Sequence, residues 1–204
     1  MIEQGDGREK RKDDEMTMEP VIKRMQSITV KDIEGFKGNF DPNAGIEVIP
    51  LSGGKFKPIE IMVGTERLSY NFYVAKVGPG QAVNSHFHKH GREPYVFLDP
   101  TAGGDMYRGH VENVKGEEGV QWHGKESVSQ GSIVNIAEGE VHSFHNTTDH
   151  DVYFLFCCPG NHLVDHDEAI DPADNPRKNR DGDRYIVKDL PGGDRTGAIV
   201  DKRI

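Results

Sequence analysis

Between residues 60 and 160 the chain alternates short apolar runs with glycine and proline turns, and no stretch there carries a helical stripe of three turns. Residues 68–77 alternate, are rich in Tyr, Phe and Val, and stop at Gly78-Pro79-Gly80. Residues 93–98, 132–136 and 152–157 read as further strands. Turn signals separate them at Asp99-Pro100, Gly103-Gly104, Gly116, Gly119, Gly131 and Gly139. Short strands at this spacing predict an all-β sandwich or barrel. The chain has 204 residues and no internal repeat, so one barrel is expected.

The flanks read differently. Residues 1–25 form a polar, charged N-terminal segment expected to be disordered. The barrel is assigned to 26–160, with 41–58 as loop and short extended pieces. Residues 105–130 are polar and expected to form a hairpin plus a surface loop near the barrel mouth. Beyond Pro159 the chain turns acidic and loop-like, so 161–204 is expected to be a C-terminal extension packing on the barrel, with last short strands at 184–188 and 198–200.

Histidine placement adds chemistry to this frame. His86 and His88 stand two apart, so on one strand they project from one face. Glu93 opens the next apolar run, and Gly139-Glu140-Val141-His142 brings a third imidazole beside a turn. A barrel can turn all four inward, and three imidazoles with one carboxylate suit a borderline divalent metal: Fe, Mn, Ni, Zn or Co. His90 shares the parity of His86 and His88 and is an alternative ligand or a neighbour of the ligands. His110, His123, His145, His150, His162 and His166 read as surface histidines. Period two from Glu93 turns Tyr95 and Phe97 inward with it and Val96 and Leu98 outward, while Phe144 shares the parity of His142. Arg108 either meets an anionic substrate or faces solvent.

These residues resemble the two signature motifs of the cupin family. The first, G-x5-H-x-H-x3,4-E-x6-G, is matched by Gly80, His86, His88 and Glu93, with Pro100 in place of the last glycine. The second, G-x5-P-x-G-x2-H-x3-N, is matched by Gly131, Gly139, His142 and Asn146, with Ala137 in place of the proline. The resemblance implies a cupin-type double-stranded β-helix, a jelly-roll barrel, holding one divalent metal ion on His86, His88, Glu93 and His142. It also implies a homodimer, as cupins frequently pair.

Function is less tightly bounded, because cupins host many chemistries. The leading expectation is an Fe(II)-type dioxygenase acting on a small oxygen-chelating substrate such as a diketone, enol or catechol. There Glu93 holds the metal or shuttles a proton, and the Tyr95 hydroxyl orients a ligand. A metal-dependent isomerase or lyase working through an enediolate is the alternative, and a non-enzymatic ligand-binding cupin a third. A net charge of −9 and the absence of a basic stripe argue against nucleic acid; Lys10-Arg11-Lys12 and the basic residues at 177–180 sit among acids. No apolar run approaches the roughly 18 residues of a membrane span. The first residues lack a signal peptide's apolar core, which points to the cytoplasm. Adjacent Cys157 and Cys158 would face opposite ways on a strand, fit no disulfide between them, and read as half-buried strand cysteines.

Overall fold

Alternation along the apolar runs decides which sheet face each side chain meets. The computed structural model describes residues 13–42, 44–63, 65–98, 102–114, 117–160, 162–163, 184–187 and 200–201. Its strands are β1 (Asn39–Asp41), β2 (Ile46–Pro50), β3 (Ile59–Val63), β4 (Glu66–Val77), β5 (His86–His88), β6 (Glu93–Phe97) and β7 (Gly103–Val114). They continue with β8 (Glu117–Ser129), β9 (Ile133–Ile136), β10 (Glu140–His145), β11 (Val152–Pro159), β12 (Arg184–Val187) and β13 (Val200–Asp201). One sheet runs β1-β2-β4-β11-β6-β9, with β3 also paired to β4; the other runs β13-β12-β5-β10-β7-β8.

From β4 to β12 the chain crosses from one sheet to the other at every connection except the β7–β8 hairpin. Two antiparallel sheets wound in this way form the double-stranded β-helix of the cupin fold. Their facing sides enclose an apolar core that includes Tyr95, Phe97, Met106, Phe144, Phe154 and Phe156. The rings of Phe97, Phe144 and Phe154 pack with centroids 5.1–5.5 Å apart. Burying such a ring stabilises by about 1.5–3 kcal/mol. Val96 and Leu98 belong instead to a second apolar cluster, so the expected parity of this strand holds.

That second cluster explains a departure from expectation. The segment 1–25, read as disordered, is helical from its middle onward: α1 spans Asp13–Gln26. Met18, Val21 and Met25 recur at helical spacing and are at most 3% exposed, packed in the cluster with Ile49, Tyr70 and Leu155. Basic Lys23 and Arg24 in the last turn suit the helix dipole, while Pro20 inside the helix removes one backbone donor. Burial of the apolar stripe outweighs that loss.

Two further expectations are revised. The 105–130 region forms the expected hairpin, the long strands β7 and β8 with a register shift at Arg108/Gly109, but its described part holds no broad surface loop. The C-terminal extension does more than pack on the barrel: β12 extends the second sheet by pairing with β5. Most of 161–204, and the Pro100 turn, lie outside the described residues.

The motif residues that are not candidate ligands hold the turns. Gly139 takes φ 73°, which favours glycine, and its N–H donates to the His88 carbonyl at 2.7 Å, tying the two motifs together. Buried Asn146 donates to the carbonyls of Val77, Gly78 and His150, and its Oδ1 accepts from Thr148. Among the described residues no helix is long and apolar enough to cross a membrane.

Candidate metal centre

Strand β5 lies between β10 and β12, and its register builds the site. His86 pairs directly with His142 of β10, and His88 with Arg184 of β12. Directly opposed residues share a sheet face, so all four side chains are directed to one side. Glu93 arrives from β6 in the opposite sheet. The cluster thus draws on both sheets.

All four expected ligands are buried: His86 is 5% exposed, His88 and Glu93 3%, and His142 0%. One ligand atom from each lies within 4.8 Å of every other. Glu93 Oε2 stands 3.2 Å from His142 Nε2 and 3.4 Å from His88 Nε2. Ligands at about 2.1 Å from a metal sit roughly 3.0 Å apart when adjacent and about 4.2 Å apart when opposite. The spacing therefore fits one ion.

Proton placement supports the same reading. His86 Nδ1 lies 2.7 Å from the Asn84 carbonyl, and His142 Nδ1 lies 3.0 Å from that of Glu140. A carbonyl only accepts, so each Nδ1 carries the hydrogen and each Nε2 is left with a lone pair. His142 Nε2 and His88 Nε2 are buried without a hydrogen-bond partner. Unpartnered buried nitrogens facing a carboxylate are costly unless something binds them. A divalent cation meets that demand.

Charge follows from burial and from the neighbours. Burial pushes His86 well below the ordinary imidazole range, helped by His142 and His88. For Glu93, burial works upward, while a proton on His88 or His142 beside it outweighs burial and holds the carboxyl well below the usual range. It stands as a carboxylate. Tyr95 donates from its hydroxyl to Glu93 Oε2 at 3.2 Å, and burial, then Glu93, raises its pKa well above the ordinary phenol value. Tyr95 therefore keeps its proton.

Other expectations sort themselves by burial. Arg108 is on the face of His142, but its Nε and Nη2 donate to the Glu140 carboxylate at 2.7 and 3.0 Å. It serves an ion pair. His90 is exposed, so its imidazole is no ligand here. The reading of His162 as a surface residue is overturned: it is fully buried, its ring stacks on His88 at 4.1 Å, and its Nε2 meets the His90 carbonyl. Cys157 and Cys158, expected half-buried, are both fully buried, and burial raises the Cys157 thiol far above its usual range. Ligand atoms of Glu93, Cys158 and His162 also lie within 4.8 Å of one another, so this second group shares Glu93 with the first. His162 follows the last predicted strand of the barrel, where no parity argument reaches it.

No family model matches the sequence, and no curated protein matches it. Among solved structures the chain is similar to the capsular polysaccharide assembling protein CapF from Staphylococcus aureus, at 16% identity and a TM-score of 0.44, over 74% of this chain and 31% of that one. It is similar to a Cupin 2 conserved barrel domain protein from Salinispora arenicola, at 16% identity and TM-score 0.38, over 58% and 79% of the two chains. It is also similar to a predicted oxalate decarboxylase from Thermotoga maritima, at 22% identity and TM-score 0.32, over 50% and 90%. The chain spans about a third of the CapF length that it matches. Its own strand order and motif geometry are what make it a cupin-type barrel.

Proposed function

We propose that this protein is a metal-dependent enzyme of the dioxygenase type, with iron on His86, His88, His142 and Glu93 and a small oxygen-chelating substrate. The observation that carries the reading is the convergence of three buried imidazoles and one carboxylate within 4.8 Å. Imidazole with carboxylate is a donor set of the kind used by non-haem iron oxygenases, although Mn, Ni, Zn and Co suit it too. A bound metal would supply a Lewis acid and open positions beside the protein ligands.

The chain's own residues do the rest. The Asn84 and Glu140 carbonyls aim two imidazoles before any ion arrives. Tyr95 steadies Glu93 Oε2 by donating a hydrogen bond to it. Phe154 and Phe156 form part of the apolar wall of the chamber. The Tyr95–Glu93 contact also places a proton donor beside a carboxylate, which favours an isomerase or lyase as the second reading.

Elemental analysis of the purified protein tests the site. About one equivalent of metal per chain is expected in the wild type and little in His86→Ala or His142→Ala. Unchanged content in both variants would remove the assignment. Oxygen uptake by the iron-loaded protein with diketones, enols or catechols supports the dioxygenase. Turnover under strict anaerobiosis supports the second reading.

A further inference from the structure

The free space beside the candidate ligands amounts to about 20 Å³, room for little more than a water molecule. Next to it opens a vestibule of about 400 Å³ whose walls include Phe40, Pro50 and Tyr73. Val48, Leu163 and Arg184 line both spaces and form the partition between them. Arg184 is the charged member of that partition. Its side chain is 3% exposed, and its Nη1 donates to Asp41 Oδ2 at 2.8 Å, with Nη2 3.4 Å from Oδ1. Asp41 is on the vestibule side, with 20% of its side chain exposed. The pairing of Arg184 with His88 turns the guanidinium toward the candidate ligands, and its charge acts on His86.

We propose that Arg184 binds the acidic group of the substrate, a small carboxylate with an apolar body, by exchanging Asp41 for the substrate's carboxylate. This deepens the function proposed above and rests on that reading of the metal centre. A buried guanidinium is stabilised by a carboxylate, so a ligand that takes the place of Asp41 on Arg184 is favoured when it brings one. Asp41 lies at the mouth with a fifth of its side chain exposed, so the exchange sets one carboxylate against another. The planar fork of arginine takes a carboxylate through two parallel bonds. The apolar body then rests on Tyr73 and on Phe40, which is 65% exposed in the vestibule.

Calorimetric titration of the full-length, zinc-loaded protein with phenylpyruvate and with methyl phenylpyruvate tests this. The two probes differ by one negative charge. The wild type should bind the acid at least about tenfold more tightly than the ester, a preference that Arg184→Gln should reduce to about twofold or less. Asp41→Asn, which keeps an acceptor for the Ala44 N–H, should tighten acid binding several-fold by removing the competing carboxylate. A wild type without preference, no measurable binding of either probe, or an unchanged preference in Arg184→Gln overturns the proposal. So does a fall in melting temperature of both variants with the preference intact, the signature of a purely structural ion pair. Should Arg184→Gln fail to fold, Asp41→Asn decides alone, and no gain in acid affinity refutes the exchange. Zinc content of the same wild-type sample separates the two failures. Bound zinc without acid preference removes the role of Arg184 and leaves the metal centre, whereas absent zinc removes the metal reading while the acid preference is judged on the metal-free protein.

Discussion

His162 shows how one side chain can make the barrel sensitive to acid. Burial, then the neighbouring His88, lowers its imidazole to about 3 from an ordinary value near 6.5. An unfolded chain takes up this proton as pH falls below about 6.5, while the folded one resists until about 3. The stability contributed is therefore complete above 6.5 and is lost progressively on the way down to 3. His86 is displaced in the same direction and adds to the effect. Thermal melts of the metal-free protein should show a midpoint falling by roughly 5 °C or more between pH 6.5 and 4. His162→Phe keeps a flat ring against His88 and should flatten that slope. Equal slopes in the two proteins would show that this imidazole is not held neutral.

At the scale of elements, α1 and the β7–β10 contact are where single changes should cost most. Met25 is fully buried against the outer face of the first sheet, so Met25→Ala is expected to destabilise by about 2–4 kcal/mol in urea unfolding. A change below about 0.5 kcal/mol would mean that the helix does not dock in solution. Gly104 sits where β7 runs against β10, with φ 146°; an added Cβ would come within 2.4 Å of the His145 carbonyl oxygen and 2.7 Å of the Phe144 ring. Backbone cannot yield there without disturbing the strand that carries His142. Gly104→Ala should therefore cost more than about 2 kcal/mol and lower metal content with it. A variant as stable as the parent would contradict the close approach.

For the whole molecule, the cluster acts as a clasp between the sheets, since Glu93 belongs to one and the three histidines to the other. An ion that binds only the folded chain stabilises it by mass action, about 4 kcal/mol at a thousandfold excess over Kd. Scanning calorimetry should accordingly show a midpoint about 8–16 °C lower after exhaustive dialysis against chelator, with recovery on adding metal. His86→Ala should melt at the same temperature with or without chelator. A wild type indifferent to chelator would mean that no ion bridges the sheets.

Local spacing alone was enough for much of this. Two histidines two apart on a strand must share a face, period two from Glu93 sets Tyr95 and Phe97 inward, and the glycines of both motifs mark turns that few other residues could make. The stripe Met18, Val21, Met25 was equally present in the sequence, masked by the charges around it. Tertiary structure decided what depends on which strand lies beside which. Arg184 meets His88 because β12 pairs with β5 across a separation of about a hundred residues, and His162 and Cys158 reach Glu93 because β11 lies against β6. Strand register is a property of two segments at once, set by the packing of the core between them, so neither segment alone encodes its partner.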